Sequence, residues 1–185
     1  MTAEDAADYY THRNPVDRGT ASGVIMARLD VEDATRAQYE QLWARRTGPA
    51  TFVLCCIPFF TDGLALGDTV QTEADDLKSY VVTKVLARSG HTTYRVRVDT
   101  SDRTRRPQLV AAVDGIGCRW EWSSDGFVAV SAATLHQRDQ LEAALSERTA
   151  AAVIDWGVRL NARPRDSVAT GDRRTFRDRA GCTLM

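Results

Sequence analysis

The sequence predicts an α+β protein: a small β-barrel-like unit over residues 24–88, packed on a ferredoxin-like βαββαβ sandwich over residues 89–160. Three observations predict it. Between 24 and 88, β-branched and aromatic runs alternate with Gly, Pro and Asp turn signals at short intervals, the pattern of consecutive strands. From residue 92 onward, runs with a period of two flank two stretches of helical period, in the order strand, helix, strand, strand, helix, strand. The chain has 185 residues, 43% hydrophobic and 26% charged, which is ordinary for a globular protein and long enough to bury a core.

Residues 24–31 (VIMARLDV) read as the first strand. Residues 33–46 are open to two readings. Tyr39, Leu42, Trp43 and Arg46 have helical spacing and Asp33 could cap a helix, yet Gly48-Pro49 is a turn signal and residues 50–57 form an apolar run of strand length. Pro58 ends that strand, because it has no N–H for the ladder. Gly63 and Gly67 permit tight turns, residues 69–73 form a short strand, and residues 77–88 a longer one with apolar residues on both faces, as in a strand covered on both sides.

Residues 92–98 alternate cleanly, with Tyr94, Val96 and Val98 inward and Arg95 and Arg97 outward. Residues 102–116 read as a helix with Leu109, Val110, Val113 and Ile116 as its apolar stripe, Pro107 in its first turn and Gly115 and Gly117 at its end. A strand over 118–122, a turn at Ser123-Ser124-Asp125-Gly126 and a strand over 127–131 follow. A helix over 134–148 presents Leu135, Leu141 and Leu145 on one face, and residues 153–160 return as the last strand.

Both ends read as mobile tails, acidic over 1–23 and basic over 161–185. The basic end interleaves six arginines with Asp166, Asp172 and Asp178, the pattern of a solvated segment rather than a nucleic-acid arm. Net charge is −1, so no strong field draws the chain to nucleic acid or to an acidic membrane. No run approaches the roughly 18 apolar residues of a membrane helix, and the start lacks the pattern of a secretion signal, so a cytoplasmic protein is expected. Cys55, Cys56, Cys118 and Cys182 show no CxxC pair and read as reduced apolar filler; no metal and no cofactor are expected. The ending Cys182-Thr-Leu-Met185 has the form of a prenylation box, a match that chance supplies easily. His12 and His136 have no ligand-spaced partner and read as surface residues.

One stretch combines polarity with tight geometry: Ser89-Gly90-His91-Thr92-Thr93-Tyr94-Arg95, at the junction of the two units. Histidine can accept a proton near neutral pH, and a Ser or Thr hydroxyl becomes a nucleophile beside such a base. Asp68, after Gly67, could orient the imidazole. The structural alternative is a glycine-centred corner, where Ser, His and Thr bond turn amides. Pro58-Phe59-Phe60 is the second candidate, since adjacent aromatics face opposite sides of a strand and one could line a pocket. Trp120 and Trp122 share one face of a strand and read as core.

Four blocks, in this order and spacing, are similar to a bacterial family known as domain of unknown function 4265: Glu40-Gln41-Leu42-Trp43-Ala44, Ile57-Pro58-Phe59-Phe60, Gly63-Leu64-Ala65-Leu66-Gly67-Asp68-Thr69-Val70 and Ser89-Gly90-His91-Thr92-Thr93-Tyr94-Arg95. Gly117-Cys118-Arg119-Trp120-Glu121 and Phe127-Val128-Ala129-Val130 also resemble its pattern, and the resemblance spans about residues 24–160. It implies that residues 40–46 form a strand before a turn and that Asp68 and the 89–95 block belong to one construction. It implies no activity. Cys55-Cys56 ahead of Pro58 and the two tails depart from the pattern.

The function expected from these residues is a non-catalytic module that binds a small molecule or a protein partner in the cleft between its halves. Ser89, His91, Thr93, Arg95 and Asp68 would line that cleft, with Phe59 and Phe60 as its apolar wall and Arg95 a fork for a carboxylate or phosphate. The alternative is a small hydrolase or group-transfer enzyme, with catalytic His91 as general base, Asp68 its orienter and Ser89 or Thr93 the nucleophile. A third reading is an immunity or inhibitor-type protein, which predicts a large acidic or apolar patch. No motif names the ligand or the oligomeric state.

Overall fold

In a computed structural model of the chain, residues 7–30, 36–74, 79–150 and 154–158 are described. The strands are β1 (Asp8–Thr11), β2 (Gly23–Arg28), β3 (Gln38–Arg46), β4 (Thr51–Leu54), β5 (Thr69–Ala74), β6 (Tyr80–Ala87), β7 (Thr92–Val98), β8 (Arg119–Ser124), β9 (Phe127–Ala132) and β10 (Ile154–Val158), and the helices are α1 (Arg105–Ile116) and α2 (Leu135–Ala150). The chain is therefore mixed α+β, mostly strands with two helices.

The first sheet has the order β1-β3-β2-β6-β5-β4, and β3 also pairs with β4, so β2 to β6 close into a ring. The closing contact between β2 and β6 is parallel, through Met26 and Val81. Closure removes the open edges that a five-stranded sheet would otherwise present. The second sheet has the order β10-β7-β9-β8, all pairs antiparallel.

Alternation along the strands sorts the side chains. On β3, Glu40, Leu42 and Ala44 point inward, which resolves residues 38–46 as strand rather than helix. On β7, Tyr94, Val96 and Val98 join Leu109 and Val113 of α1 and Leu141 and Leu145 of α2 in one core. A second core fills the ring, around Ile25, Leu42, Phe52, Leu54 and Val70. A third, of Ile57, Phe59, Leu66 and Ala129 with Val16 and Phe127 packed on it, joins the ring to the second sheet. Helix α1 follows Thr104 and stops at Gly117, whose φ of 78° is the left-handed cap that a side chain disfavours.

Several expectations are corrected. Residues 7–22 are not a mobile tail, because β1 pairs in parallel with β3 and the segment after it is tied down by the buried bonds of His12 to Glu40 and Glu121. His12 is 4% exposed, not a surface residue. The strand over 77–88 is not covered on both sides: β6 is largely half-exposed and its Leu86 is 47% exposed. Leu135, at the first position of α2, is exposed rather than part of the apolar face. Arg95 does not face solvent; its side chain is 11% exposed and lies against the loop after β4. Cys55, Cys56 and Cys118 are buried free thiols, while Cys182 and the basic segment 161–185 lie outside the described residues.

Candidate functional site

Asp68 stands at the start of β5, directly after a glycine with φ of 80°. That conformation turns the chain so that the carboxylate is fully buried beneath the corner after β6. Ser89 donates twice to Asp68 Oδ1, from its N–H at 2.8 Å and its hydroxyl at 3.1 Å. The Ala65 N–H and Arg88 Nη1 each donate to Oδ2 at 3.1 Å. Close approach requires the glycine, since a Cβ at Gly67 would lie 3.1 Å from Ser89 Cβ. Asp68 and the 89–95 block thus form one construction, as the family resemblance implies.

The imidazole of His91 turns elsewhere. Its Nδ1 is 2.8 Å from Ser131 Oγ on β9, and its backbone N–H donates to Ser89 Oγ at 3.2 Å. Partial burial and the nearby Arg119 cation lower its pKa, against the opposing pull of Asp68 and Asp17, so the ring is neutral at pH 7. Both Asp68 oxygens are occupied by other donors, so the expected Asp68–His91 orientation is replaced by His91–Ser131. Thr93 is 3% exposed, and its hydroxyl has no hydrogen-bond partner among the described residues.

Arg95, expected to be a fork for an anionic ligand, is held by the protein itself. Its guanidinium donates to the carbonyls of Phe59 and Thr61 and lies 3.5 Å from Asp62. Phe59 is buried, whereas Phe60 is 37% exposed and stacks on Phe127, with centroids 5.6 Å apart and planes at 8°. Tyr10 packs against the same Phe60 ring at 4.7 Å.

Two further arrangements escape the sequence reading. The first is a buried clamp. His12 Nε2 lies 3.0 Å from Glu40 Oε1 on β3, and Nδ1 lies 2.7 Å from Glu121 Oε2 on β8. Phe59 stacks on the ring at 4.2 Å. Glu40 also accepts the N–H groups of Phe59, Phe60 and Thr61 and the Thr61 hydroxyl, and Glu121 accepts those of Val16 and Ile57. Burial alone would lower the His12 pKa; bonds with Cys56, Glu121 and Glu40 outweigh it and push it up to about 12. Burial pushes the Glu40 carboxyl up, but the His12 cation and the Thr61 and Phe59 donors hold it below its ordinary value. Burial pushes the Cys56 thiol up to about 11, so it is protonated at neutral pH and poorly suited to nucleophilic attack.

The second is a cleft of 520 Å³ between α1 and the outer side of β8, lined by Asn14, Arg106, Pro107, Val110, Trp120, Glu121 and Trp122. Trp120 donates its indole N–H to Asp114 at 2.8 Å, which fixes the ring. The Arg106 guanidinium lies 4.1 Å from the Trp122 ring centroid and pairs with Asp125 at 2.9 Å. The strand spacing of two in Trp120 and Trp122 is visible in the sequence and reads there as core; both rings do pack on the core of the second sheet, and because β8 lies at the edge of that sheet they are only partly buried and also line the cleft.

The profile of a family described as "Domain of unknown function (DUF4265)" matches residues 40–156. The chain belongs to this family. The DUF4265 match includes both carboxylates of the clamp, Asp68, the 89–95 block and the cleft residues from Arg106 to Trp122. His12 and Asn14 precede it, so this DUF4265 chain completes its clamp and one wall of its cleft with residues outside the matched span. No curated protein matches the chain. A solved structure described as a hypothetical protein from Neisseria gonorrhoeae is similar in fold, with a TM-score of 0.64 and 20% identity over 77% of this chain and 96% of that one. Among the described residues, no helix is long and apolar enough to cross a membrane, and no group of three or more His, Cys, Asp or Glu is placed to hold a metal ion.

Proposed function

We propose that this protein is a non-catalytic cytoplasmic module that binds a small molecule in the cleft between α1 and β8, rather than at the His91 corner. The observation that carries the reading is the cleft itself: a half-open space in which partly buried indole rings, a proline and a valine surround one arginine. The His91 corner is a weaker candidate, because the polar atoms of Asp68, Ser89 and Arg95 are bonded within the chain. On this proposal the unit over 24–88 is a scaffold and the unit over 89–160 is a ferredoxin-like sandwich. The strand order β10-β7-β9-β8 and the packing of both helices in one core support that assignment. Net charge near zero favours no nucleic-acid or membrane partner.

A thermal-shift screen of a diverse small-molecule library tests the reading, run on the wild type and on Trp122→Ala, with circular dichroism confirming that both fold. Compounds that stabilise the wild type by 2 °C or more and leave the variant unmoved are expected. Equal shifts in both proteins, or no shift in the wild type, overturn it.

A second reading, a small hydrolase, is favoured by the 2.8 Å contact between His91 and Ser131, which makes Ser131 rather than Ser89 or Thr93 the hydroxyl beside the base. Ser131 is 2% exposed, which leaves little room for a substrate. Turnover of an activated ester that is lost in a folded His91→Ala protein would establish it. The immunity-type reading draws on the exposed rings of Tyr9, Tyr10 and Phe60, at 45%, 37% and 37% exposure.

A further inference from the structure

We infer that the ligand of the α1–β8 cleft is a planar aromatic molecule carrying a carboxylate or similar anion, an inference that rests on the binding-module reading above. The walls select for a flat, apolar body. Trp120 is fixed by its bond to Asp114, and Pro107 and Val110 face the same space from α1. Trp122 already carries a planar group, the guanidinium of Arg106, in a stacked contact. The hydrogen-bonding capacity left open in the lining selects for an anionic acceptor. Glu121 is the acidic residue of the lining, and both of its oxygens are taken, Oε1 by the Val16 and Ile57 N–H groups and Oε2 by His12. Arg106 is the basic residue of the lining, and its bond to Asp125 uses one nitrogen of a five-donor fork. Asp125 is 92% exposed, so that pair sits in water, is weak, and yields readily to a competing carboxylate. A bound aromatic acid would place its ring beside Trp122 and its carboxylate on the outer edge of the guanidinium, with the Asn14 amide as a further donor.

The test uses the full chain and three probes: 1-naphthoate, the neutral isostere 1-naphthamide, and a proline decamer as the extended peptide that an aromatic groove could also take. Binding is measured by calorimetry and by indole fluorescence. Saturable binding of naphthoate, at least tenfold tighter than naphthamide, is expected, and Arg106→Gln is expected to remove that tenfold difference between the two. Equal binding of the two naphthalenes, or an unchanged naphthoate affinity in Arg106→Gln, overturns the anion assignment. If naphthamide or the decamer binds preferentially and Trp122→Ala abolishes that binding, the ligand class is overturned and the cleft reading stands. If no probe binds, the ligand class is overturned, and the library screen decides the module reading independently.

Discussion

At position 12 an imidazole sits between two carboxylates contributed by different sheets, all three buried. Removing the imidazole leaves Glu40 and Glu121 without their cation in a dry setting, the circumstance in which a broken ion pair is most damaging. His12→Gln is therefore expected to destabilise the protein by about 3–5 kcal/mol, measured as a fall in the urea midpoint at constant slope. The pH dependence has a definite sign. His12 holds its proton more tightly folded than unfolded, so its contribution is complete below its ordinary value of 6.5 and declines as pH rises towards about 12. Glu40 is shifted the other way, so its contribution is complete above its ordinary value of 4.5 and is lost as pH falls below it. Stability from this pair should peak between those two values, and His12→Gln should flatten the alkaline decline; an unchanged alkaline slope would refute the clamp. Little of this is legible in the sequence. Glu40 alternates with Leu42 and Ala44, and Glu121 lies between Trp120 and Trp122, so each carboxylate can be placed on a strand face. Their common partner stands 28 residues before one and 109 before the other, and no local pattern joins them.

At the scale of elements, most strands and both helices follow from period and punctuation. The strands over 92–98 and 127–131, the turn between β8 and β9, and the stop of α1 at Gly117 are all local, and local signals suffice for them. The apolar residues of the 33–46 segment suit both periods. Over 38–46, pairing with β2 on one side and with β1 and β4 on the other decides the matter, since a strand there satisfies three neighbours. All four residues of β1 are exposed, so it carries no apolar alternation that marks it as a strand. The contact between the turn before β5 and the corner after β6 makes its own prediction. Gly67→Ala would hold a side chain at a φ of 80° and push its Cβ against Ser89. A loss of about 1–2 kcal/mol is expected from the backbone conformation alone, read from thermal or urea unfolding; a neutral effect would mean that the Asp68–Ser89 corner is not tightly held.

For the whole molecule, the contacts between the ring and the second sheet are polar as well as apolar. Glu121 bonds His12 and the Val16 and Ile57 amides, Arg95 bonds the Phe59 and Thr61 carbonyls, Arg119 pairs with Asp17, and the third core lies beside them. Such a seam should make unfolding one cooperative event. Fluorescence of Trp43 in the ring and of Trp120 and Trp122 on the second sheet is expected to change at one urea concentration, tested with single-tryptophan variants. Glu121→Ala is expected to lower the midpoint and separate the two signals; coincident transitions in that variant would show that apolar packing alone couples the sheets.

The α+β class and the positions of most elements are legible in the chain because they depend on residues close together, and the family resemblance, carried by motifs whose spacing survives as text, implies that Asp68 and the 89–95 block share one corner. Contacts between distant parts of the chain are what make the N-terminal segment part of the fold, set His12 between Glu40 and Glu121, bond Arg95 to the chain's own carbonyls, and bring the tryptophans of β8 to a cleft beside α1. Those outcomes depend on which sheet faces meet and which strand is left at an edge. A side chain's period tells which way it points, but burial and bonding are set by what arrives from elsewhere in the chain to meet it.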